Sequence, residues 1–274
     1  MYALGVCFFS VAISWINTMK NLLERGGIDI KKQEEENQQW IQGKGRGILY
    51  SFLSQIFRDE VSWQKVSDFF QEENIKPLKS VITQLPPEKA QHLWECLNNL
   101  RESMGGAFKG KEEESGSLDL RREFAYLFLT PHGVYPFESI YLGKTKLLMD
   151  KPWEEVRAFY RSIGIKKDKK EMHPEDHIAV ELGFMASFSY LSGDFLSYES
   201  EEKIDEEEKE FLIQVQHDFL EQHLLKWAPG LCDDIMAKTR YPFYYGVAVL
   251  TKRFLECDLF LLKESIKMFT VKID

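Results

Sequence analysis

From residue 48 to residue 262 the apolar side chains of this chain recur every three or four positions, and no run alternates apolar with polar between turn dipeptides. The first period marks helices with one apolar stripe, and the missing second period argues against strands. Ile48, Leu49, Phe52, Leu53, Ile56 and Phe57 form one stripe; Val61, Trp63, Val66, Phe69 and Phe70 form the next. Pro86-Pro87 opens a third helix through Leu93, Trp94, Leu97 and Leu100, because proline is tolerated in a first turn. Further helices are expected over 118–129 and from Pro152, with Gly164 as a C-terminal stop, then along IAVELGFMASFSYL. An acidic run at 201–210 should begin another, whose apolar face is Phe211, Leu212, Val215, Phe219, Leu224 and Trp227. A last one spans about 242–268. The expected fold is therefore all-α, a single globular bundle of about eight to nine helices.

A chain of 274 residues can bury a sizeable core. The helical domain is expected over 46–274, with 1–45 as an N-terminal extension and linker. GKGRG at 43–47 has some of the letters of a phosphate loop but not its spacing, and no strand precedes it. Residues 1–18 are apolar, yet no Lys or Arg precedes them and no small-residue cleavage site follows. Translation from Met19 is the simplest account, with an exported or anchored form behind it. The net charge of −9 argues against nucleic acid as a partner. Cys7, Cys96, Cys232 and Cys257 are far apart with no C-x-x-C pair, which points to a reducing compartment. The glycine-rich, charged stretch 104–117 reads as a flexible connection that would permit helix exchange between protomers, and so a homodimer.

Residues 122–142, REFAYLFLTPHGVYPFESIYL, break this pattern. Phe124, Leu127 and Phe128 end a helix, and Pro131, Gly133 and Pro136 turn it into a loop. The loop carries Tyr135, Phe137, Ile140 and Tyr141 around one acid, Glu138, and one hydroxyl, Ser139. An aromatic, proline-stiffened loop either caps a core or lines a binding surface.

The second unusual stretch is His173-Pro174-Glu175-Asp176-His177, preceded by the charged loop KKDKKE at 166–171. Pro174 suits the first position of a helix, and Glu175 and Asp176 suit its first turn. Three readings stand: helix capping, a polar ligand-binding pair, and a metal site. His177 and Glu181, four residues apart, share a helix face, so a metal-dependent hydrolase using His173, Asp176, His177 and Glu181 is an alternative function. Neither H-E-x-x-H nor a nucleophile elbow is present, and no glycine-rich nucleotide fingerprint follows a strand.

Three segments taken together resemble the TorD/DmsD/NarJ family of molybdoenzyme assembly chaperones. REFAYLFLTP…YPFESIY is similar to its E-x-x-x-L-F-x-x-P…P-x-E-S-x-Y signature, and Pro174 to Met185 to its P-x-D-H-x-x-x-E-L-x-F-M helix. FLEQHLLKWAP with Tyr241-Pro242-Phe243-Tyr244 is similar to its C-terminal motif. The likeness runs from about Arg46 to Leu262. It implies a cytoplasmic, cofactor-free, non-enzymatic, all-helical chaperone without stable membrane insertion. Its partner would be an apo-molybdoenzyme catalytic subunit or its twin-arginine leader peptide, held for cofactor insertion and Tat export. Carried over by position, the peptide-binding residues are Phe124, Leu127, Phe128, Pro131, Pro136, Phe137, Glu138, Ser139, Tyr141, Asp176 and His177. Phe137 stands where relatives often have a second proline, and His132 where a tryptophan can occur.

Overall fold

The computed structural model describes residues 30–108, 113–192 and 206–271. Among them the elements are α1 (Ile30–Arg58), α2 (Trp63–Phe69), α3 (Glu72–Ile82), α4 (Pro87–Phe108), α5 (Glu113–Leu129), α6 (Glu138–Leu142), α7 (Lys151–Ser162), α8 (Ile178–Ser192), α9 (Glu206–Phe219), a π turn at Leu220–Leu224, α10 (Leu225–Lys238) and α11 (Pro242–Val271). No strand is present among them, so the all-α bundle expected from periodicity is what forms. The apolar stretch 1–18 and the first half of the acidic run, 201–205, lie outside the described residues.

α8 is the element the others surround. Its residues from Ile178 to Ala186 are all buried, and so are Phe188, Ser189, Leu191 and Ser192. A helix apolar on every side has no solvent face and must be enclosed by its neighbours. α1 packs along it, burying Leu49, Leu53, Ile56 and Phe57, and α9 covers another side. α11 lies against α4, α9 and α10, and contributes Phe243, Tyr244, Val247, Leu250, Phe254, Leu255 and Leu262 to the same core.

The N-terminal boundary differs from expectation. Helix α1 begins at Ile30 and runs straight through GKGRG, which is neither a linker nor a phosphate loop. The two inner glycines have a packing reason. A Cβ on Gly45 would lie 2.5 Å from Val81 Cγ2 and 2.6 Å from the Pro77 carbonyl oxygen on α3, and one on Gly47 would lie 2.8 Å from the Tyr190 ring on α8. Close approach of α1 to both neighbours is thus possible only without side chains there.

Between them Arg46 points inward and is neutralised by Asp258 of α11, which takes two of its N–H groups. Gln216 Oε1 of α9 accepts a third bond at 2.8 Å, and Tyr50 OH donates to Asp258 at 2.7 Å. This buried polar network bolts the first described helix to the last.

Three further differences have local causes. α3 escapes a periodicity reading because Pro77 sits in its interior, although Ile75, Leu78, Val81 and Ile82 form its buried stripe. The 104–117 connection is shorter than composition suggests, since α4 continues to Phe108 and α5 begins at Glu113. Phe211 is exposed, and the apolar face of α9 is carried instead by Leu212, Val215 and Phe219. The expected stop of α7 holds. Gly164 has φ 74°, and the Gly164 and Ile165 N–H groups donate to Arg161 and Tyr160 carbonyls, the Schellman pattern.

Candidate functional site

The loop leaving α5 meets the segment entering α8 in a single antiparallel bridge between Phe137 and His177. Glu138 N–H donates to the Asp176 carbonyl at 2.9 Å, and Ile178 N–H to the Pro136 carbonyl at 3.0 Å. These bonds put the two unusual stretches of the sequence side by side.

Capping then works across the bridge. Phe137 precedes α6 and has no side chain able to accept from its amides, so Asp176 Oδ2 accepts from Ser139 N–H at 3.0 Å. His177 Nδ1 accepts from Ala179 N–H at 3.1 Å and caps α8 itself. Pro174 is therefore not a first helical residue, as expected from sequence; it lies in a turn before α8, where its carbonyl accepts from His177 N–H at 3.1 Å. Glu175 faces away from both helix ends, accepting from Trp153 Nε1 at 2.9 Å beside Arg157 at 3.3 Å.

Below the bridge lies a group of buried polar side chains. Glu138 (1% exposed) meets His223 Nδ1 of the π turn at 3.1 Å. Glu181 (0%) accepts from Trp227 Nε1 at 3.0 Å. Ser139 Oγ, Asp176 Oδ1 and Glu181 Oε1 are buried without a hydrogen-bond partner among the described residues. Burial pushes the Glu181 carboxyl well above the usual range, and the neighbouring Glu138 charge pushes it the same way. Burial also raises Asp176. His177 is driven well below its usual value by burial, then by His173 and Arg58, which keeps its capping nitrogen unprotonated.

The outer side is accessible. Phe137 and Tyr141, four residues apart, are half-buried; Phe137 meets the His177 ring edge-on at 4.9 Å between centroids. Tyr141 lies against Trp227 at 5.6 Å and donates its hydroxyl to Asp234 at 2.8 Å. The His173 ring stacks on His177 at 4.1 Å, and beyond it opens a cleft of about 250 Å³ lined by Arg58, Asp59, Asp168, Lys170, Glu171, Met172 and His173. Glu171, expected in a solvated loop, is buried and paired with Arg58.

The eleven residues carried over by position thus divide. Pro136, Phe137, Glu138, Ser139, Tyr141, Asp176 and His177 come together around the bridge. Phe124 and Leu127 are buried core, and Phe128 is half-buried against Phe57, Phe124 and Tyr244. Pro131 is exposed, and Pro136 is buried. Glu138 and Asp176 are sealed, so a guanidinium reaches neither carboxylate in this conformation. Sequence reasoning missed the partners beneath: His223 and Trp227 lie in the C-terminal motif, but nothing in their spacing says that they face Glu138 and Glu181.

Comparison with known proteins decides the family. The family model described as "Nitrate reductase delta subunit" matches residues 86–233. "Chaperone protein TorD" of Photobacterium profundum is 30% identical over 224 residues, covering 80% of this chain and 95% of that protein. The protein of the same name from Vibrio atlanticus is 32% identical over 222 residues, covering 78% and 92%. The chain belongs to the TorD/DmsD/NarJ family. The resemblance drawn from three motifs is thereby established, and with it the role of a molybdoenzyme maturation chaperone. As a TorD-family chain it gives no support to the alternative of a metal-dependent hydrolase. Among the described residues no group of three or more His, Cys, Asp and Glu side chains is arranged to hold a metal ion. Nor is any described helix long and apolar enough to cross a membrane.

Proposed function

We propose that the chain serves its client molybdoenzyme by binding the signal peptide or N-terminus of the apo-protein, in the cytoplasm and without catalysing a reaction, until cofactor is inserted and Tat export proceeds. The observation that supports this reading is the bridge at Phe137 and His177. It fixes an aromatic strip, Phe137 and Tyr141, at the surface over a buried polar base. Aromatic walls of this kind offer contact area at low entropic cost, and each large apolar side chain that a peptide buries there contributes roughly 1.5–3 kcal/mol.

Phe128, Pro131, Phe137 and Tyr141 are the members of the carried-over set that a peptide can touch directly. Phe124, Leu127, Pro136, Glu138, Ser139, Asp176 and His177 shape the surface from beneath. The test is calorimetry with a twin-arginine leader peptide from a molybdoenzyme. Phe137→Ala and Tyr141→Ala should each weaken binding severalfold while the melting curve stays cooperative. Unchanged affinity in both variants would overturn the assignment. A pull-down of the client with its leader removed separates leader binding from recognition of the mature N-terminus.

A further inference from the structure

The segment that follows α6 spends its apolar side chains on solvent. Leu147, Leu148 and Met149 are 65%, 51% and 54% exposed, and Leu142 at the end of α6 is 40% exposed. We propose that this loop, 143–150, is a second contact for the client's leader and takes its apolar segment. The inference rests on the reading that Phe137 and Tyr141 receive the leader.

The loop is built to hold these side chains outward. Lys146 and Met149 have φ of 55° and 59°, left-handed values that residues with a side chain rarely adopt. Asp150 secures them: its Oδ2 accepts from Thr145 N–H at 3.1 Å and Thr145 Oγ1 at 2.7 Å, while Oδ1 accepts from Lys151 N–H at 2.7 Å. Those hydrogen bonds, first the Thr145 hydroxyl, hold the Asp150 carboxyl below its ordinary range. Lys146 Nζ donates to the Tyr141 carbonyl and ties the loop back to α6. A loop already ordered in the free protein loses little freedom when a partner arrives.

Area and continuity identify the occupant. At these exposures the four side chains present on the order of 400 Å² of apolar surface, the size at which patches on monomers are often functional. That is about half of the ~800 Å² per partner that a stable complex buries, so the loop does not hold a partner alone. The aromatic strip ends at Tyr141, next to Leu142, and Lys146 is tied to the Tyr141 carbonyl, so the loop continues that strip. One ligand lying along both is the economical solution. The cations beside the apolar tip, Lys144 and Lys146, suit an uncharged stretch of that ligand and repel paired arginines. An anionic lipid surface fits less well. Over 142–155, Lys144, Lys146 and Lys151 are balanced by Asp150, Glu154 and Glu155, and Lys151 is paired with Glu155 at 3.2 Å.

The test compares wild type with the double variant Leu147→Ser, Leu148→Ser by calorimetry. The probes are a synthetic leader with two consecutive arginines before a Leu/Ala-rich segment, and the same peptide with that segment's leucines replaced by serine. The variant should bind the first peptide at least tenfold more weakly, and the second as wild type does; its melting curve should be unchanged, since both side chains are exposed. If wild type binds the first peptide and the variant binds it equally well, the loop is not a contact, and the role of Phe137 and Tyr141 stands. If wild type binds neither peptide, the leader reading itself fails and takes this inference with it. A variant that keeps leader affinity but loses sedimentation with phosphatidylglycerol vesicles, or changes from dimer to monomer, overturns the inference in favour of a lipid or a second copy.

Discussion

Asp176 caps a helix to which it is not joined: its Oδ2 accepts the Ser139 N–H at 3.0 Å across 37 residues of sequence. The side chain thus holds α6 in register with the start of α8, and the accessible strip at Phe137 and Tyr141 depends on it.

Replacing Asp176 by Ala should cost about 0.5–2 kcal/mol of stability, the range for a lost N-terminal cap. Asp176→Asn retains an acceptor oxygen and should lose less. Urea unfolding measures both, and leader affinity should fall in the order wild type, Asn, Ala. Equal stability of all three would show that the bond contributes nothing.

Glu181 makes stability depend on pH in a direction that can be stated. Its folded pKa lies above the ordinary 4.5, so the folded state holds the proton more tightly than the unfolded one. The associated stability is complete below 4.5 and is lost as pH rises toward the folded value, by at most ~1.4 kcal/mol per pH unit for one proton. His177 acts in the opposite sense: its folded pKa is below 6.5, so its contribution is complete above 6.5 and is lost as pH falls. Glu181→Gln keeps an acceptor for Trp227 and cannot ionise. Its unfolding free energy should gain on wild type as pH is raised above 4.5. Parallel curves for the two proteins would show that Glu181 does not titrate in this range.

Gly45→Ala should destabilise by about 1–3 kcal/mol through overpacking, despite the better helix propensity of alanine, because Val81 and the Pro77 backbone occupy the space. An alanine at the exposed helical position Gln55 is the control. Chemical denaturation should separate the two substitutions, and a gain in stability at Gly45 would contradict the close approach.

The long stripes of α1 from Ile48 and of α11 were legible from spacing, and α8 from its continuous apolar run, whereas α10 was not separated from the helix before it. Local signals failed where a residue answers to a distant neighbour. Gly45 and Gly47 look like linker residues until α3 and α8 are placed against them. Pro77 looks like a breaker, and α3 tolerates it. Asp176 has the composition of a cap for its own helix, but serves another one. At the candidate site the two motif stretches lie side by side across the Phe137–His177 bridge, yet burial could not be read from the motifs. Phe124, Leu127, Glu138, Ser139, Asp176 and His177 are interior, whereas Leu147, Leu148 and Met149, apolar enough for a core, stand in water.

The pairing of Arg46 with Asp258 spans 212 positions of the chain, and that separation governs when folding can finish. Until the last helix leaves the ribosome, the guanidinium on α1 has no counter-ion, and a buried charge without one is strongly destabilising. At synthesis rates of ~5–20 residues per second, the wait is roughly 10–40 s. The buried network around Arg46 therefore cannot close in a nascent chain until synthesis has passed Asp258.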